Sequence, residues 1–179
     1  GFDLYSRMLA EAVEEGKATR EGRVAIVEAP SAVVDLPLEA HLPDDYVPDE
    51  AQKLELYRRL AGARTPGHIA AFRQEVADRF GPMPPPVLRL VEVAELRLAA
   101  ESAGVSSISR EEGNLVVRFG AGLSRATAMR LLGPGALPGL RPSEVTFASN
   151  QVRIRLPKDP RKGWQLTQAV VARLGTPPT

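Results

Sequence analysis

Apolar residues crowd most densely between Val87 and Ala100, at Val87, Leu88, Leu90, Val91, Val93, Ala94, Leu96, Leu98, Ala99 and Ala100. At 100° per residue they cover nearly the whole circumference of a helix, so the pattern predicts a helix buried on several sides. Arg89, Glu92, Glu95 and Arg97 interrupt the run, which is too short and too charged to cross a membrane. Upstream, Gly81-Pro82 marks the end of a preceding helix, and Pro84 to Pro86 give a stiff entry into the next. That preceding helix starts at Thr65-Pro66, an N-cap hydroxyl followed by a first-turn proline. Ile69, Phe72, Val76 and Phe80 recur along one of its faces, and Ala71, Gln74, Glu75 and Asp78 point the other way. Glu75 and Asp78 are thus expected to be neighbours on a solvent-directed face, with Arg79 placed for an i,i+4 ion pair to Glu75.

The rest of the chain alternates between the two periods. Residues 1–15 carry Leu4, Met8 and Ala12 beside Tyr5, Leu9 and Val13, an amphipathic helix that begins in mid-pattern, as in a fragment of a longer protein. Gly16 and Gly22 bracket a polar linker. Val24, Ile26, Val34, Leu36 and Leu38 follow the strand period, and Pro37 confines that segment to an edge strand or a surface strap. Asp49 caps a helix from Glu50 to about Ala61, with Leu54, Tyr57, Leu60 and Ala61 as its apolar side. After Gly104 the period becomes alternating. Ile108 and then Leu115, Val117 and Phe119 predict a hairpin turning at Glu111 to Asn114. Ser124 caps a short helix to Leu132. Val145 and Phe147, then Val152, Ile154 and Leu156, predict a second hairpin across Ser149-Asn150, and Asp159-Pro160 opens a last helix to about Leu174. The expected fold class is α+β, several packed helices with a small antiparallel sheet formed mainly by the C-terminal half.

Composition narrows the chemistry. The chain has 179 residues, enough for a sizeable core, and no cysteine, which excludes disulfides, thiolate metal sites and a cysteine nucleophile. His41 and His68 are the two imidazoles, too few for a histidine-rich metal site. No phosphate-cradling glycine loop with lysine and no dinucleotide fingerprint is present. Asp44, Asp45 and Asp49 lack the glycine and closing glutamate of a calcium loop. We therefore expect no catalytic residues, no cofactor and no metal in this chain. The net charge of +1 hides an asymmetry. Residues 1–100 carry 12 Lys and Arg against 17 Asp and Glu, a balance of −5, and residues 101–179 carry 11 against 5, a balance of +6. Such an asymmetry points to two halves that attract each other or to two surfaces with different partners. One is the acidic pair Glu75 and Asp78. The other is a basic stripe of Arg118, Arg153 and Arg155, with Lys158, Arg161 and Lys162 nearby, on the face opposite Val152, Ile154 and Leu156. Such a stripe suits phosphates, although few aromatics accompany it to stack on bases.

Several stretches, GFDLYSRMLAEAVEE, LPDDYVPDEAQKLELYRRLA, RQEVADRFGPMP and VAELRLAAESAGV, resemble the C-terminal region of bacterial transcription-repair coupling factors (Mfd). By that resemblance, residues 1–22 are the helix and linker that end a DNA-translocating motor module, residues 23–175 a C-terminal regulatory domain, and residues 176–179 a loose tail. The resemblance implies a cytoplasmic, non-catalytic, autoinhibitory domain in transcription-coupled nucleotide excision repair. Its parent would be a translocase using ATP and Mg that releases stalled RNA polymerase from DNA. The domain would dock on the parent's own UvrB-like module and mask the surface that UvrA uses, with no role for a membrane. Glu75 and Asp78 match the docking carboxylates, and arginines on the UvrB-like module would be their counterparts. The alternative expectation is a nucleic-acid binding module using Arg118, Arg153 and Arg155.

Overall fold

The computed structural model describes residues 31–175 apart from 134, 136 and 138. The expected helix at 1–15, the linker at 16–22, the extended positions Val24 and Ile26 and the tail at 176–179 lie outside the described residues. By internal contacts the described chain divides into two units, one of residues 37–98 and one of residues 31–36 with 99–175.

The first unit is helical. It contains α1 (Glu50–Ala61), α2 (Pro66–Phe80) and most of α3 (Pro85–Ser102), the three consecutive helices that the periodicity predicts. Asp49 accepts the Gln52 N–H at 2.8 Å and Thr65 Oγ1 accepts the His68 N–H at 3.3 Å, so both expected N-caps form. α2 ends at Gly81, whose φ of 86° lies in the left-handed region that glycine tolerates without a Cβ penalty. The Tyr46 hydroxyl donates to the Gly81 carbonyl at 2.7 Å and fastens that end, and its ring meets Phe80 at 5.8 Å. α3 is buried almost all round, at Val87, Leu90, Val91, Val93, Ala94, Leu96, Leu98 and Ala100, while Leu88 is exposed.

The α1 stripe is rotated from expectation. Lys53, Leu56, Tyr57 and Leu60 are the buried set, and Leu54 is half-buried. Lys53 occupies an inward position because its ammonium reaches Asp44, which holds that carboxyl below the usual range, so only the aliphatic stem needs to sit among apolar neighbours. A second buried cation lies on α3. Arg97 is 9% exposed, and its guanidinium donates to the carbonyls of Leu60 at 3.3 Å and Ala63 at 3.1 Å. Those carbonyls lie at and just past the C-terminal end of α1, where a cation complements the helix dipole.

The second unit is built on a five-stranded sheet in the order β1-β2-β3-β5-β4. The strands are β1 (Val33–Asp35), β2 (Val105–Glu111), β3 (Asn114–Phe119), β4 (Val145–Phe147) and β5 (Gln151–Arg155). Both expected hairpins form. β2 and β3 turn at Glu112 and Gly113, with φ of 50° and 78°, the pair of positive values that a two-residue hairpin loop of this hand requires. The sheet is antiparallel except at one edge, where β1 pairs parallel to β2 through Val34 and Ile108. The strap containing Pro37 thus supplies an edge strand, as its proline indicates, but in parallel register. Glu101 holds its entry, accepting from Ser31 Oγ at 2.8 Å and Ala32 N at 3.1 Å. Ser124 caps α4 (Arg125–Leu132), and Asp159 stands before α5 (Pro160–Gly175). Arg130 of α4 donates to the Leu174 carbonyl near the end of α5 at 2.7 Å. Ile108, Leu115, Val117, Val152 and Ile154 on one sheet face, and Trp164, Val170, Val171 and Leu174 on α5, are buried.

Replacing Arg97 with Met retains the volume but removes the donors to the end of α1. We expect a loss of about 1–3 kcal/mol in unfolding free energy, read by denaturant titration.

Candidate functional site

Two surfaces carry the candidate residues, and each lies within one unit. The first is the outward side of α2. Ile69, Phe72 and Val76 are almost wholly buried, with Val76 at 0% exposure, and this fixes the rotation of the helix. Asp78 stands two positions beyond Val76, on the far side of the wheel, and is exposed. Its carboxylate accepts from the Gln74 side-chain amide at 3.3 Å and forms no ion pair among the described residues. Glu75 stands one position before Val76, on the flank rather than the crest, and is half-buried. Arg59 of α1 meets one of its oxygens at 2.5 Å, and Arg79 meets the other at 3.0 Å.

The expected Arg79 pair therefore forms, and a second arginine joins it from another helix. The hydrogen bond from Arg59, followed by that from Arg79, holds the Glu75 carboxyl below its ordinary value of 4.5. Arg79 also lies 5.1 Å from the Phe80 ring centroid, a cation–π contact that holds its stem. The ridge is not uniformly acidic. Arg59, Glu75, Arg79 and Asp78 alternate in sign, and Asp78 is the member whose charge is unmet within the described chain.

A groove beside this ridge is lined by Pro66, Ala70, Gln74, Ala77 and Met83, and is closed at one side by the Arg73–Glu95 ion pair at 2.8 Å. Small side chains at Ala70 and Ala77 leave it open.

The second surface is the polar face of the sheet. Strand alternation places Arg153 and Arg155 opposite Val152 and Ile154, as expected. Arg118 does not join them as a free cation. It meets Glu111 at 2.8 Å and donates to Ser109 Oγ at 3.3 Å. The stripe is thus interrupted by Glu111, whose carboxyl is held low by Arg118, Ser109 and Arg153. Arg141, in a proline-rich turn with no strand period to place it, comes alongside Arg153 and Arg155.

The TRCF domain model matches residues 36–128, just over half of the chain. The chain belongs to the TRCF-domain family. This TRCF chain is 42% identical over 115 residues to a transcription-repair-coupling factor of Mycobacterium tuberculosis, an alignment covering 61% of the chain and 9% of that protein. It is 34% identical over 119 residues to the Escherichia coli protein of the same name, covering 66% and 10% respectively. A Staphylococcus aureus relative shows 37% identity over 116 residues, covering 65% and 10%. The chain spans about a tenth of the length of these relatives. The crystal structure of the C-terminal domain of a transcription-repair coupling factor superposes with a TM-score of 0.65 at 17% identity. That match covers 82% of this chain and 94% of the other, and it shows a shared fold. Among the described residues, no helix is long and apolar enough to cross a membrane.

Because the folded state lowers the Glu75 pKa below 4.5, the carboxylate contributes stability that is fully present above that value and is lost as pH falls through the lowered one. Thermal melts of the wild type and Glu75→Gln should therefore differ at neutral pH, with the wild type more stable, and converge as the pH is taken well below 4.5.

Proposed function

We propose that this chain is the regulatory C-terminal part of a transcription-repair coupling factor, acting by docking rather than by catalysis. Residues 1–22 end the motor module, and residues 23–175 form the regulatory domain. The outward side of α2 covers an arginine-bearing surface on the parent's own UvrB-like module, and so masks the site where UvrA binds. The parent is a cytoplasmic, ATP-driven DNA translocase that engages stalled RNA polymerase in transcription-coupled repair. Its nucleotide and Mg are bound elsewhere in the parent. Family membership and the coupling-factor relatives support the setting.

The single observation that carries the docking surface is Asp78. It is exposed on a helix whose opposite side is locked into the core, and no cation of the described chain neutralises it. A carboxylate with no internal cation gains most from an external guanidinium, because the shielded contact strengthens the charge-assisted hydrogen bonds that repay its desolvation. Glu75 plays a different part. Its charge is already met by Arg59 and Arg79, so it arrays those arginines around the ridge and offers its remaining lone pairs to the partner. A contact within one polypeptide needs only modest intrinsic affinity, since tethering keeps its effective concentration high. Engagement of polymerase or DNA upstream then shifts the population toward the open form.

Fluorescence anisotropy with the separately expressed UvrB-like module tests this. Asp78→Lys should weaken binding by about 2 kcal/mol or more, roughly thirtyfold, with an unchanged melt. In the full-length parent it should raise UvrA binding. Wild-type affinity in Asp78→Lys for both partners would remove α2 from the interface.

A further inference from the structure

The polar face of the sheet carries a groove rich in arginine. Arg141, Arg153 and Arg155 line this groove of about 500 Å³ together with Ser143, Thr146 and Glu144. Register explains the convergence. Arg153 sits opposite Thr146 of β4 and Val116 of β3, and Arg155 sits opposite Asn114. The turn Pro142–Glu144, which leads into β4, brings Arg141 and Ser143 to the same edge.

The donors of this groove are largely unspent. Arg141 and Arg155 form no ion pair among the described residues, and the hydroxyls of Ser143 and Thr146 have no hydrogen-bond partner there. Arg153 keeps only long contacts, 3.5 Å to Glu111 and 3.9 Å to Glu112, because Glu111 is held more closely by Arg118. The lining acid, Glu144, directs one oxygen to the Arg141 backbone N–H at 2.8 Å and so serves the turn. Three guanidinium groups against one carboxylate leave the lining at +2. Asn114 adds no donor, since its amide is spent on the carbonyls of Glu111 and Glu112.

We propose that this groove is an oxyanion site that takes phosphate groups, with Arg141, Arg153 and Arg155 as the ligands and Ser143 and Thr146 as neutral donors. Guanidinium forks match the oxygen pairs of a phosphate, and several forks meeting in one groove suit a group with three or more acceptor oxygens better than a single carboxylate. The site lies on the sheet, separate from α2, and its occupancy does not depend on the docking reading.

The test is fluorescence polarisation and calorimetry with the 179-residue chain at low salt, about 50 mM. The probes are inorganic tripolyphosphate, a labelled single-stranded oligothymidylate, a duplex of matched length, and a polyglutamate peptide. The wild type should bind a phosphate probe, and the double variant Arg141→Gln/Arg155→Gln should bind it at least about tenfold more weakly with a flatter salt dependence. A charge-matched control, Arg110→Gln/Arg125→Gln, should stay within about twofold. Melting curves confirm that both variants fold. Tripolyphosphate binding as tightly as the oligonucleotides identifies a small phosphate ligand. Affinity rising with oligonucleotide length identifies a nucleic-acid backbone, and either result supports the site. No binding of any phosphate probe, equal loss in the charge-matched control, or equally tight polyglutamate would overturn it.

Discussion

The burial of Ile69, Phe72 and Val76 governs what α2 shows to its surroundings. Three apolar side chains, each at most 2% exposed, set the rotation of a fifteen-residue helix. Burying each is worth about 1.5–3 kcal/mol, while a surface ion pair contributes at most about 1 kcal/mol. The apolar stripe therefore decides the orientation, and the charged residues follow. Asp78 is carried to the crest and Glu75 to the flank, within reach of Arg59. Tyr46 and Gly81 stop the helix where Asp78 still belongs to its last turns, and α3 supplies a buried helix behind it in sequence.

The same competition between a strong apolar constraint and weaker polar ones recurs in the sheet. Alternation in β5 puts Val152 and Ile154 inward and leaves Arg153 and Arg155 to find partners on the other face. Glu111 cannot satisfy every arginine. It takes Arg118 at 2.8 Å, with Ser109 as a shared neighbour, and Arg153 is left with weaker contacts. The unit thus ends with a paired cation in one place and a cluster of under-used cations in another, although the residues on that face look alike in the sequence.

Local signals were legible because they depend on neighbours in the chain. Asp49, Thr65-Pro66 and Ser124 each cap the helix they precede, and alternation at Leu115, Val117 and Phe119 and at Val152 and Ile154 gives strands with the correct inward side. What depended on distant neighbours was hidden. Nothing in Val33 to Asp35 names β2 as a parallel partner, since that pairing joins residues more than 70 positions apart. The burial of Lys53 and Arg97 rests on Asp44 and on the carbonyls of Leu60 and Ala63, partners that helical spacing alone does not bring to them. The i,i+4 pair of Glu75 with Arg79 follows from helix geometry, but Arg59 comes from another helix and changes what Glu75 has left to offer. Arg141 became visible as a site residue only when its turn was placed beside β5.

Backbone amide NMR of the isotope-labelled chain, titrated with the unlabelled UvrB-like module, reads the central claim without altering a residue. Amides of Gln74 to Gly81, with Asp78 among the most affected, should shift or broaden in proportion to occupancy, while those of β3 and β5 stay in place. Saturating binding that leaves the α2 amides unmoved and perturbs another surface would contradict the account.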